Sequence, residues 1–208
     1  MTTRRAALRL IGGAAAAALA RPARAAGSAG LVVGAYGACV AEAGGQQRPL
    51  RLGAPVNVGD TLVVPDGARL KVRMSDGSIL SLASGTRLAV AEYRSDAAGN
   101  RESAELSLAQ GLLRAVVTRT ERPAKFEVAT AVGTGGVRGT DWFIEARPGS
   151  AQVGVLSGSV ALTSAATGRS VVIPSRWGGR LEAGRDPVMP RVWAPAEFDA
   201  VIARTDVK

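Results

Sequence analysis

Four aspartates, Asp60, Asp66, Asp76 and Asp141, hold most of the catalytic potential of this 208-residue sequence. Two carboxylates flanking a glycosidic bond can hydrolyse it, one as acid and the other as base or nucleophile. Little other chemistry is on offer. The absence of histidine removes Ser-His-Asp and Cys-His arrangements and the commonest zinc ligand sets. A single cysteine, Cys39, excludes thiolate clusters and an intramolecular disulfide, and it reads as a small buried residue of the first strand. Gly59-Asp60 and Asp76-Gly77-Ser78 are settings in which an aspartate accepts backbone hydrogen bonds in a turn, which favours a structural reading of those carboxylates. No catalytic residue, cofactor or metal is expected.

The run Gly133-Thr134-Gly135-Gly136-Val137-Arg138-Gly139-Thr140 has the glycine density of a phosphate-cradling loop. Such a loop must open a helix whose first amides face the anion, whereas Asp141-Trp142-Phe143-Ile144 reads as a strand and the Gly-Lys-Ser/Thr ending is missing. A strand entry with close backbone packing is the better expectation. Trp142, Trp177 and Trp193 offer large rings for a sugar face or a partner's pocket. Trp142 belongs to an apolar run and is expected in the core. Trp177 lies in the polar stretch Ser175-Arg176-Trp177-Gly178-Gly179-Arg180, and Trp177, Arg176 and Arg180 are the candidate ligand or partner contacts.

The elements that position these residues read as short strands joined by glycine turns. In Arg69-Leu70-Lys71-Val72-Arg73-Met74 the apolar residues point inward and the cations face water, so a one-residue slip would bury three cations. The alternation resumes in Ile79-Leu80-Ser81-Leu82 and Leu88-Ala89-Val90. Ala104, Leu106 and Leu108 then alternate with Ser103, Glu105 and Ser107. Gly111 opens the apolar run Leu112 to Val117. Trp142, Ile144 and Ala146 share one face, and Gly158 separates two further strands. The convincing helical signal is Pro195 to Arg204, with Phe198, Val201 and Ile202 on one face. The fold class is therefore all-β, either a β-solenoid or a double-layered antiparallel β-sandwich with a short C-terminal helix.

At the N-terminus, Arg4 and Arg5 precede a short alanine-rich stretch from Leu10 to Ala20, and Ala23-Arg24-Ala25 offers small side chains to a signal peptidase. This pattern resembles a twin-arginine signal peptide over residues 1–25. It implies export to the periplasm and no stable membrane span after cleavage. The leader holds five of the 26 basic residues; without them 21 remain against 17 acidic ones, a net charge of +4. A surplus that small, with no basic stripe interleaved with aromatics, speaks against nucleic acid.

Several fragments occur in an order that resembles the FecR domain family. They are Leu52 to Thr61 with its Gly59-Asp60, Asp76-Gly77-Ser78, Leu108 to Leu113 with Gly111, Phe126 to Thr130, Val137 to Trp142 with Gly139-Thr140, and Val155 to Val160 with Gly158. The resemblance covers about residues 31–181, within an expected domain of residues 26–190 followed by a helical tail at 191–208. It implies a periplasmic, non-catalytic module that contacts a protein such as the signalling domain of an outer-membrane receptor. Regulators of that family place a sigma-binding segment and a membrane helix ahead of the domain. Here an export leader takes that place, so a detached binding module is expected. Carbohydrate or peptidoglycan binding through Trp177 and a membrane-anchored regulator with an uncut leader are the alternatives.

Overall fold

The computed structural model of the chain describes residues 27–96, 98–120 and 124–207. The leader, with Arg4, Arg5, Ala23 and Ala25, lies outside them. The chain opens with β1 (Ser28–Tyr36), β2 (Val40–Ala43), β3 (Gln46–Pro49), β4 (Pro55–Asn57), β5 (Thr61–Val64) and β6 (Arg69–Met74). It continues through β7 (Ile79–Leu82), β8 (Thr86–Ser95), the long β9 (Arg101–Val116), β10 (Lys125–Thr130), β11 (Gly133–Val137) and β12 (Asp141–Arg147). The remaining elements are β13 (Ser150–Ser157), β14 (Ser159–Ser164), β15 (Ser170–Pro174), β16 (Trp177–Glu182), β17 (Val188–Val192) and the helix α1 (Pro195–Thr205).

The strands form one large, open, mixed network that doubles back on itself. A first ladder runs β4-β1-β6-β7-β9-β12-β13-β16-β17, antiparallel throughout. A second runs β3-β2-β5-β8-β9-β10-β11-β14-β15 and is antiparallel except for the parallel β9–β10 pair. Both ladders share β9. Its first part pairs with β8 and its last residues with β7 and β12. The strand changes layer at Gly111, where φ is 96° and a Cβ would stand 2.4 Å from Thr86 Oγ1. The Thr86 hydroxyl bridges this kink, accepting from Leu112 N at 3.1 Å and reaching Leu112 O at 3.3 Å.

The two ladders lie face to face, because alternate residues of each enter the same core. Leu70, Val72 and Met74 of the first meet Leu88, Val90, Leu106 and Leu108 of the second in one cluster, as the alternation predicts. Contact is close. A Cβ at Gly135 of β11 would be 2.9 Å from the Trp142 indole of β12.

The outer face of the first ladder carries a second, smaller core. Phe143, opposite Trp142 on β12, is buried against Trp193 and Phe198, with ring centroids 5.4 and 6.4 Å away. Burying Phe198 and Val201 contributes about 1.5–3 kcal/mol each, enough to dock α1. Glu197 accepts from Ala194 N–H at 2.9 Å and closes the helix start behind Pro195. Arg204 ties α1 to Glu145 of β12 at 2.8 Å.

Three local expectations need correction. Cys39 is buried but lies between β1 and β2, its thiol donating to the Arg69 carbonyl at 3.5 Å. Ser103 is buried, since the pairing of β8 with β9 shifts register beside it. Ile202 is only half-buried on α1, and Thr205, hydrogen-bonded to Val201 O at 3.0 Å, takes the inner position. No helix among the described residues is long and apolar enough to cross a membrane.

Candidate functional site

Asp60, Asp76 and Asp141 are each engaged by an arginine, whereas Asp66 is exposed in the turn after β5. Asp76, between β6 and β7, accepts from Ser78 N at 3.0 Å and Ser78 Oγ at 2.8 Å, and it forms an ion pair with Arg101 in which both side chains are almost wholly buried. Arg101 also donates to Thr118 O at 3.2 Å and lies over the Phe126 ring at 5.1 Å. The Asp76 amide donates to the Tyr93 hydroxyl at 2.9 Å, and burial together with the adjacent Asp76 carboxylate pushes the Tyr93 phenol well above its ordinary range. Asp60 is gripped by Arg48 at 2.6 Å and accepts from Asn57 N at 2.9 Å. Asp141 takes a two-pronged bond from Arg114, at 3.0 and 2.9 Å. A carboxylate so held has its lone pairs committed, which suits a fastener better than an acid or base.

Gly59, Gly77, Gly139 and Gly158 stand at turns with φ of 90, 82, 62 and 91°. Thr140 is buried and donates to Ser159 O at 3.1 Å, knitting the Gly139 and Gly158 turns together. The glycine run at 133–140 forms β11 between β10 and β14, and the strand β12 follows it.

The fold separates the three residues of the Trp177 stretch. Trp177 and Gly179 point between the layers, and Trp177 is half-buried against the main core. Arg176 lies on the outer side, 5.4 Å over the Phe198 ring. Arg180 is exposed on that outer side beside Glu182 at 3.4 Å. Trp193 fills the space above Gly178, where a Cβ would meet its indole at 2.0 Å. Trp177 alone of the three tryptophans keeps an accessible surface, at the open edge of the sandwich opposite Val192.

That edge is the strongest candidate for a binding site. Each ladder ends in two terminal strands, and three of these are protected in familiar ways. β4 is three residues long, β3 is the polar Gln46-Gln47-Arg48-Pro49, and β17 has Pro190 at its centre. β15, Ser170-Val171-Val172-Ile173-Pro174, has no charge and no internal proline, and Val172 is 66% exposed on it. β17 lies beside it across the layers, adding exposed Val188, Met189 and Val192. Three nearby arginines are paired, Arg169 with Asp186 at 3.0 Å, Arg185 with Glu182 at 3.1 Å and Arg191 with Glu197 at 2.6 Å, while Arg176 and Arg138 have no carboxylate within ion-pair distance among the described residues. A groove of about 450 Å³ leads to Val172 over the outer face of the second ladder, lined by Lys125, Glu127, Gly136, Arg138 and Ala161. Sequence reasoning singled out Trp177 but missed β15, because edge position is a property of the whole topology.

A search of curated proteins finds no match to the chain. Two crystal structures of a candidate anti-sigma factor from Parabacteroides distasonis ATCC 8503 are similar in fold. Both are 17% identical with a TM-score of 0.56, and the likeness covers 67% of this chain and 63% or 62% of that one. The chain thus spans under two thirds of that protein. The family described as FecR protein matches residues 60–161, a span that takes in the Asp76-Gly77-Ser78 turn, β9 to β13 and the Gly139 and Gly158 turns but leaves out Leu52 to Gly59. The likeness to the FecR family thus rests on residues 60–161, just under half of the chain.

Proposed function

We propose that this chain is an exported, non-catalytic binding module of the cell envelope that recognises a protein partner by pairing a strand of that partner with β15. The carrying observation is the unprotected edge of β15, uncharged and apolar where the other three terminal strands are short, polar or proline-bearing. Strand addition draws affinity from backbone hydrogen bonds and specificity from side chains beside the edge, a part that exposed Val172 and Val192 and half-buried Trp177 fit. The FecR match supports a signalling context, and the arginine-bound aspartates support a role without turnover.

Crosslinking the tagged protein in intact cells tests this reading. Val172→Lys, a charge placed on the edge without touching the core, lowers capture of an envelope receptor or sensor about tenfold, and Trp177→Ala lowers it less. Recovery of no envelope protein, or equal recovery with Val172→Lys, contradicts the proposal. The export part is tested separately by mass spectrometry of the native N-terminus, expected at Ala26; an intact Met1 terminus contradicts it.

A further inference from the structure

The eight large apolar residues exposed among the described residues fall into two groups of four. One is the β15–β17 edge. The other lies at the opposite part of the first ladder: Leu31, Tyr36 and Val116 on its outer face beyond α1, to either side of Val207, which packs over Gly34 beside Lys71, and Leu52 on the turn next to β1. Here the register sets apolar residues between cations. Tyr36 pairs with Arg69 and Leu31 with Arg73, then Ile79 and Val116 continue the row. Because Leu70, Val72 and Met74 are buried, Arg69, Lys71 and Arg73 must share the outer face, about 7 Å apart along β6. Arg51 and the 76% exposed Leu52 stand on the turn that hydrogen-bonds to β1 through Gly53 N and Val32 O at 2.8 Å.

None of Arg51, Arg69, Lys71 and Arg73 has a carboxylate within ion-pair distance among the described residues. The compensated charge resumes at Arg114, which Asp141 neutralises and which also feels the Asp206 carboxylate of the tail. The geometry points to a docking face for an anionic lipid surface, with the four cations on headgroup phosphates and with Leu52, Leu31 and Tyr36 entering the interfacial region. Charge complementarity requires an anionic partner. The interleaving favours lipid over an acidic protein, because protein interfaces gather apolar residues at a centre and leave charge at the rim. A bilayer instead accepts cations and isolated amphipathic side chains side by side.

Co-sedimentation of the full chain with mixed phosphatidylcholine and phosphatidylglycerol vesicles tests this, with pure phosphatidylcholine as the neutral control. The protein binds the mixed vesicles more tightly, and added salt weakens the binding. At about fivefold per cation, the triple substitution Arg69→Gln, Lys71→Gln, Arg73→Gln lowers partitioning about 100-fold at low salt. Leu52→Asp lowers it several-fold with the four cations intact. Val172→Lys leaves it unchanged, which separates this face from the β15 edge. Equal partitioning of the parent and triple variants overturns the inference. So does binding to polyglutamate but not to vesicles that the triple variant abolishes, an outcome that assigns the face to an acidic protein.

Discussion

The β15–β17 edge and the Arg69–Arg73 face expose the same number of large apolar side chains and differ in what surrounds them. At the edge, three arginines are matched by Asp186, Glu182 and Glu197, and β15 itself has no ionisable group. At the face, Arg51, Arg69, Lys71 and Arg73 have no carboxylate within ion-pair distance among the described residues. Matched charge removes long-range attraction and leaves a surface whose affinity must come from shape and backbone pairing. Unmatched charge gives long-range attraction to anything anionic but little discrimination among anions. On the two proposals, one fold presents a specific surface and a general one at opposite ends of its first ladder.

The largest expected effect removes both surfaces together. Asp76→Ala strands the Arg101 guanidinium in the core, and breaking such a pair from one side costs about 3–5 kcal/mol. Urea unfolding should show the loss, and vesicle binding and partner capture should fall in parallel; a small stability change would mean that Arg101 finds another partner. Next come the 100-fold vesicle effect and the tenfold edge effect, each confined to its own surface. The smallest effect is acid-dependent and touches only the covered half of the first ladder. Half-burial alone would raise the Glu145 carboxyl, but the Arg204 and Arg147 guanidiniums hold it below its ordinary 4.5. A depressed folded value means that this tether is complete above pH 4.5 and is lost as pH falls through the depressed value. Loosening of α1 on acidification, read by Trp193 fluorescence, should therefore weaken in Arg204→Gln, while the uncharged β15 edge responds to neither change.

Alternation made much of this fold legible. Leu70, Val72 and Met74 had to face one way once three cations separated them, and the Asp76-Gly77 turn had to follow. What alternation cannot show is which strand lies at an edge or what covers an outer face. Phe143 alternates with Trp142 and Ile144 and so turns away from the main core, yet α1 returns from more than fifty residues later to bury it. Arg101, between Asn100 and Glu102, has the local setting of a surface arginine, and its partner Asp76 is 25 residues away in sequence. Trp177, Arg176 and Arg180 are neighbours in the chain, but period-2 geometry and the positive φ of Arg176 send them to different sides. Sequence proximity there suggested a single cluster that the strand divides.

Site-specific photocrosslinking in intact cells, from a probe at position 172 and from one at position 36, is the most direct test of the division between the two surfaces. The expected result is a discrete envelope-protein adduct from position 172 and lipid adducts without a protein band from position 36. The same protein captured from position 36, or no protein captured from position 172, contradicts the account.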